Sequence, residues 1–170
     1  MNCWALLMAL PLLLAPAPAA GGAPLWPRET EAQLQERLEK EHNPIKKAKE
    51  TARLARMKLR QAMDAYDAKH VEEGLRLVGA YLGGIKDAWQ TLRDSGRNAA
   101  HDSRGFKELD FELRDDERLL NDLERRIPYY DRDPVEKAEK EVEQVRLEVM
   151  QALFPEARGT ESRTPPDNQR

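Results

Sequence analysis

Apolar and small side chains recur every three or four residues along two consecutive stretches of the chain. The first stretch is rich in alanine and comprises Ile45, Ala48, Ala52, Ala55, Leu59, Ala62 and Tyr66. The second is rich in large side chains and comprises Val71, Leu75, Val78, Leu82, Ile85, Trp89 and Leu92. Steps of three and four keep side chains on one face of a helix. The pattern therefore predicts two helices, 44–68 and 70–93, that pack against each other.

Two further stretches repeat this spacing nearer the C-terminus. The third comprises Phe106, Leu109, Leu113, Leu120, Leu123 and Ile127, and Asp116 stands where another apolar residue is expected. The fourth comprises Val135, Ala138, Val142, Val145, Val149 and Ala152. With a short helix predicted from Thr30 to about Glu41, these patterns indicate an all-α fold. We predict an antiparallel helical bundle of four long helices plus a short N-terminal helix over residues 30–154.

Residues that favour helix starts support these boundaries. Thr30 is followed three residues later by Gln33, which is the capping-box pattern. Asn43-Pro44 and Asp133-Pro134 each place a capping side chain before a proline. Proline suits the first helical position because no N–H is needed there.

The two ends of the chain differ from the middle. Residues 1–19 combine an apolar run with a following series of small residues, which predicts a secretory signal peptide cut after Ala19. An uncleaved anchor is the alternative, but the run is shorter than the roughly 20 residues that span a bilayer. Residues 20–29 are predicted to be a linker, and 155–170 a disordered tail. We expect an exported protein, periplasmic or extracellular.

Composition excludes several classes of function. The formal net charge is −3, which gives no electrostatic reason to expect nucleic-acid binding. The only cysteine, Cys3, lies in the predicted signal peptide, so the mature chain would have no thiol. We expect no stable membrane span once the signal peptide is removed. The expected partner is another envelope or secreted protein, or a second copy of the chain.

Metal and catalytic patterns are weak. The sequences 39–42 and 67–70 both place a carboxylate three residues before a histidine. His42 and His70 would stand at opposite ends of one helix, roughly 40 Å apart at 1.5 Å per residue, so they cannot share a metal. His101, Asp102 and Ser103 are consecutive, whereas catalytic triads are assembled from separate segments. We therefore predict no enzyme activity, no cofactor and no metal.

Three places remain as candidate sites. The loop 95–104 carries Arg97, His101 and Arg104, which together would suit an anionic group; the alternative is a solvated connector in which Asp102 or Ser103 caps the next helix. Tyr129-Tyr130 either covers helix ends or forms an exposed patch, and Trp89 is expected in the core. The acidic residues 110–117 are expected to form a solvated face. Within that face Asp116 must reach an arginine or water, or the apolar stripe must shift onto 119–120.

The second long predicted helix contains four glycines. Gly74, Gly79, Gly83 and Gly84 each cost up to about 1 kcal/mol relative to alanine inside a helix. Gly79 and Gly83 share a face on which another backbone could approach. Gly74, Gly79 and Gly83 are therefore candidates for helix packing or for a groove. A kink at Gly83-Gly84 is the alternative.

The hairpin sequence 65–75 resembles the inter-helix part of a tetratricopeptide repeat. Tyr66 matches the aromatic residue before the turn and Gly74 the small residue after it. The turn is one residue shorter, Lys69-His70 replaces the usual Gly-Asp, and no second copy is present. The resemblance implies an adaptor that holds a peptide or a partner helix.

The favoured hypothesis is an exported, non-catalytic helical bundle with a structural or protein-binding role. The hairpin adaptor is the first alternative. An enzyme or metal protein that uses the loop 95–104 is the second.

Overall fold

This computed structural model describes residues 29–155. Its elements are five α-helices and one short 3-10 turn, joined by loops. They are α1 (Glu31–Lys40), α2 (Pro44–Asp67), α3 (Val71–Asp94), α4 (Phe106–Arg126), the 3-10 turn Tyr129–Asp131 and α5 (Asp133–Leu153). No strand occurs within those residues, and the predicted all-α bundle is confirmed. The predicted signal peptide, most of the predicted linker and nearly all of the predicted tail lie outside the described residues.

Two of the predicted helix caps are present. The Thr30 Oγ1 accepts a hydrogen bond from the backbone N–H of Gln33 at 3.3 Å, and the Gln33 side chain accepts one from the Thr30 N–H at 2.9 Å. The Asn43 side chain accepts hydrogen bonds from two backbone N–H groups of α2, at 3.0 and 3.4 Å. These caps satisfy N–H groups that have no partner within the helix.

The other predicted caps are wrong. Asp133 is the first residue of α5, and Arg132, which precedes it, makes no capping hydrogen bond with its side chain. Instead the Arg132 Nε donates to the carbonyl oxygen of Ile127 at 3.1 Å. Only Arg132 separates the 3-10 turn from α5, so the helix begins one residue earlier than predicted. At α4 neither Asp102 nor Ser103 is the cap; the capping position is Gly105, whose φ of 80° is a conformation that favours glycine.

The bundle consists of two hairpins packed together. Helix α2 pairs with α3, and α4 pairs with α5; α2 also lies against α4, α3 against α5, and α1 against α2. The predicted apolar stripes meet in the middle, except that in α3 Leu77 and Tyr81 are buried whereas Leu75 and Leu82 are only partly buried. The largest fully buried apolar side chains are Leu59, Tyr81, Ile85, Leu92, Leu113, Leu120, Leu123, Val135, Val142 and Val149.

Close contact between α2 and α3 occurs at two glycines of α3, Gly84 and Gly74. A Cβ placed on Gly84 would lie 2.8 Å from the Cβ of Ala55, so the two backbones approach closely there. A Cβ on Gly74 would lie 2.7 Å from the Tyr66 ring. Gly79 and Gly83 are exposed, and a Cβ on either would meet nothing within 4 Å. The intramolecular close contacts therefore use Gly84, against the α2 backbone, and Gly74, against the Tyr66 ring, whereas the face that carries Gly79 and Gly83 is open.

Candidate functional site

An ionised network lies at the centre of the bundle. Asp116 occupies the core stripe of α4 and is fully buried. The Nε of Arg56, on α2, donates to one carboxylate oxygen of Asp116 at 2.5 Å. The hydroxyl of Tyr81, on α3, donates to the other at 3.3 Å. Asp116 thus reaches an arginine, as one of the two sequence interpretations required, and the network joins three helices.

Arg56 uses its remaining donors on α4 as well. Its Nη2 donates to the backbone carbonyl of Glu112 at 2.6 Å, and its Nη1 lies 2.5 Å from the Glu112 carboxylate. A planar guanidinium suits this arrangement because its donors are fixed in a fork. The network is closed to solvent around Asp116. The network therefore links α2, α3 and α4 through a carboxylate that solvent does not reach.

Burial determines the protonation of this network. It raises the pKa of Asp116 from an ordinary value of 3.8 to about 6, although the charge and hydrogen bond of Arg56 oppose the rise. Burial also raises the pKa of Tyr81, and the neighbouring Asp116 charge adds to that effect. The Tyr81 hydroxyl therefore stays protonated and remains a donor.

A second polar cluster joins α4 to α5. Asp110 is only 6% exposed and accepts hydrogen bonds from Arg146 at 3.1 Å and from Arg114 at 3.2 Å. Arg146 also donates to both carboxylate oxygens of Glu117 at 3.0 Å. The hydrogen bond to Glu117 is the main cause of the raised pKa of Arg146. The predicted solvated acidic face is therefore wrong in part, because Asp110 and Asp116 are buried and each accepts a hydrogen bond from an arginine of another helix, Arg146 and Arg56 respectively.

The loop 95–104 brings two of its three candidate residues together. The Arg104 Nε donates to Asp102 at 3.0 Å, and Arg97 donates to the other oxygen of the same carboxylate. These hydrogen bonds, that of Arg104 first, lower the pKa of Asp102 to about 2. The side chain of His101 is exposed and makes no hydrogen bond within residues 29–155. The place predicted for an external anion is thus held by the chain's own carboxylate.

The aromatic residues singled out in the sequence lie in two places, the core of the bundle and the connection between α4 and α5. Trp89 is buried, donates its indole N–H to Glu148 at 2.8 Å, and contacts Phe106 edge to face. Tyr129 and Tyr130 are 82% and 80% exposed, so the interpretation as an exposed patch fits them better than coverage of helix ends.

An open groove of about 770 Å³ runs between α1, α2 and α4. The apolar part of its lining is Leu34, Met57, Met63 and Leu119. Charged lining residues include Arg53, Arg60 and Arg126, and Glu29 lies at the point where the described chain begins. Arg60 is exposed and makes no hydrogen bond or ion pair within the described residues. Sequence reasoning missed this groove; the available clue was that Met57, Met63 and Leu119 lie beside the apolar stripes.

The described part of the chain contains neither a membrane-spanning helix nor a cluster of metal-ligand side chains. None of the helices in residues 29–155 is long and apolar enough to cross a membrane. Those residues contain no group of three or more histidine, cysteine, aspartate or glutamate side chains placed to hold a metal ion. Comparisons with protein families, with curated proteins and with solved structures find no match for this chain.

Proposed function

We propose that this chain is an exported, non-catalytic helical bundle that binds another protein. The observation that carries the proposal is the groove between α1, α2 and α4. Methionine and arginine are enriched at protein interfaces, and unbranched methionine side chains adapt to the shape of a partner. The groove combines both residue types along one helix, since Arg53, Met57 and Arg60 are spaced by four and three residues on α2.

The polar clusters support a non-catalytic role. Asp116 and Asp102 each accept hydrogen bonds from side chains of the same chain, so neither is poised toward an external molecule. A general acid or base needs to reach the proton that it transfers. The proposed role of these clusters is to align helices.

The second candidate surface is the outer face of α3 at Gly79 and Gly83. A peptide or a partner helix could approach the backbone closely there, because both glycines are exposed with open space around them. This surface corresponds to the hairpin adaptor that the tetratricopeptide resemblance implies.

Site-specific photo-crosslinking distinguishes the two surfaces. A benzophenone amino acid is placed at Met63 in the groove, at Ala80 on the outer face of α3, or at the exposed Gln144 of α5 as a control. We expect a discrete crosslinked partner from Met63 and none from Gln144. A partner from Ala80 alone would favour the α3 face, and Gly79→Leu should then abolish it. Equal labelling at all three positions, or none, would contradict a protein-binding role.

Export rests on residues 1–19, which lie outside the described residues. Intact mass measurement of the protein recovered from outside the producing cell's cytoplasm tests it. We expect a chain that starts at Ala20. A chain that stays in the cytoplasm and starts at Met1 would contradict export.

A further inference from the structure

We propose that the segment directly before α1, with Trp26 as its anchor, binds in the groove between α1, α2 and α4 as an intramolecular ligand. The occupant is thus a part of the same chain that lies outside the described residues. The inference concerns the same groove as the proposed function, and it deepens that proposal by naming what fills the groove when no partner is bound.

The first argument is reach. Glu29, the first described residue, already lines the groove, and Trp26 precedes it by three residues. At about 3.3–3.6 Å per residue, three residues span about 10 Å. The part of α2 that lines the groove, from Arg53 to Asp64, is about 16 Å long at 1.5 Å per residue. An indole at position 26 can therefore reach the middle of the groove without any change in the bundle.

The second argument is chemical fit. Leu25 and Trp26 stand between two prolines and carry no charge. The lining offers two methionine sulfurs, from Met57 and Met63, and thioethers make favourable contacts with aromatic rings. The lining also offers the guanidinium of Arg60, which has no partner within residues 29–155 and can stack on an indole face.

The third argument is the low cost of ordering. Tethering makes the contact intramolecular, so the effective concentration of the segment is on the order of 1 mM. Pro24 and Pro27 restrict the backbone on both sides of the anchor, which reduces the entropy lost on binding. If the local dissociation constant is on the order of 0.1 mM, about nine-tenths of molecules are docked.

The test measures the solvent accessibility of Trp26 in the whole chain as the cell produces it. The protein is labelled with 5-fluorotryptophan, and its fluorine resonances are recorded with and without a soluble paramagnetic probe. Trp26→Phe identifies the resonance of residue 26. We expect the relaxation enhancement of Trp26 to be about tenfold smaller than that of free 5-fluorotryptophan, in line with the docked fraction.

Matched variants locate the contact. Leu119→Asp places a carboxylate in the lining and should restore the enhancement at Trp26 to the free value. Leu147→Asp is the control, because Leu147 is half-exposed on α5 and does not line the groove. Far-UV circular dichroism checks that both variants keep their helix content. Met63→Gln, which should raise the enhancement severalfold, replaces Leu119→Asp if that variant unfolds.

Three outcomes would overturn the inference. Trp26 is as accessible as free 5-fluorotryptophan, its protection survives the groove variants, or its protection disappears on dilution. The last result would assign the groove to a second copy of the chain. Failure of the proposed function can be told apart from failure of this inference. If Met63 crosslinks to no partner, the proposed function fails, but the protection of Trp26 is unaffected. If both proposals hold, Trp26→Ala should increase the Met63 crosslink up to about tenfold, because the competing segment is lost.

Discussion

Asp116 and Asp102 are held by the same chemistry in two different environments. Each carboxylate accepts a hydrogen bond from an arginine and a second one from another side chain. Yet the pKa of the buried Asp116 is raised to about 6, whereas the pKa of Asp102, which lies partly exposed at the surface, is lowered to about 2. Burial outweighs the arginine at Asp116, and hydrogen bonding outweighs desolvation at Asp102.

The contrast shows what an arginine–aspartate pair contributes in each place. In the core, neither partner can be removed without leaving the other poorly solvated. On the surface, water replaces either partner at little cost. We therefore expect the buried network to fix how α2, α3 and α4 align, and the surface cluster to matter little for stability.

The largest expected effect is the loss of Arg56. Arg56→Met removes the charge and leaves Asp116 buried without its strongest donor, which should lower the free energy of unfolding by about 3–5 kcal/mol. Urea denaturation followed by circular dichroism measures the change. Arg104→Met in the surface cluster is the matched control, for which no change outside the experimental error is expected. Equal losses in the two variants would remove the distinction between the clusters.

Replacing both buried partners should recover most of that stability. In the double variant Arg56→Met with Asp116→Leu, neither charge of this pair remains, and the expected loss is about 1 kcal/mol from the unpaired Tyr81 hydroxyl. The same urea titration gives the coupling energy when compared with the two single variants. A double variant as unstable as Arg56→Met alone would mean that Asp116 is not the reason for the loss.

The titration of Asp116 should make the free energy of unfolding depend on pH. Its pKa is raised from 3.8 to about 6 on folding, so between those values the folded chain binds more protons than the unfolded chain. The contribution of Asp116 is therefore fully present below about pH 4 and is lost as the pH rises through 6. A shift of this size corresponds to about 3 kcal/mol at most.

Asp116→Asn tests this slope. The difference in unfolding free energy between the original chain and Asp116→Asn should fall as the pH rises from 4 to 6.5. Asp102→Asn should leave the slope in that range unchanged, since the contribution of Asp102 is lost only as the pH falls from about 4 through 2. A flat difference curve for Asp116→Asn would show that its carboxyl is ionised throughout the range.

The smallest expected effect concerns the surface cluster. Asp102→Asn withdraws the internal carboxylate from Arg97 and Arg104, which leaves two guanidinium groups able to hold an external anion. Inorganic phosphate should then raise the melting temperature of the variant by about 1–2 °C, with no shift in the original chain. A shift of the same size in both chains would mean that Asp102 does not occupy the site.

The sequence predicts the helices because their positions follow from local spacing, although in α3 the buried face includes Leu77 and Tyr81, which the predicted stripe lacks. It also singles out Asp116, since a carboxylate in an apolar stripe requires an unusual partner. It does not identify Arg56 as that partner, because 60 residues separate the two and only the packing of α2 on α4 brings them together. The same limit applies to the groove, whose lining comes from three helices.

Local patterns also mislead where several residues compete for one role. Asp133 precedes a proline as a cap would, but the 3-10 turn makes it the first residue of α5. Spacing drew attention to Gly74, Gly79 and Gly83. Gly74 does contact Tyr66 of α2, but the close approach of the two backbones falls on Gly84 and not on Gly79 or Gly83, because the rotation of α3 about its axis decides which glycine faces the partner.

The contact between Gly84 and Ala55 has a consequence for the register of the first hairpin. Sliding α3 by one helical turn along α2 would bring Ala80 or Ala88 opposite Ala55. Either alanine would place its methyl group 2.8 Å from that of Ala55, which is closer than two non-bonded carbon atoms can approach. The missing side chain at position 84 therefore selects a single alignment of the two longest helices.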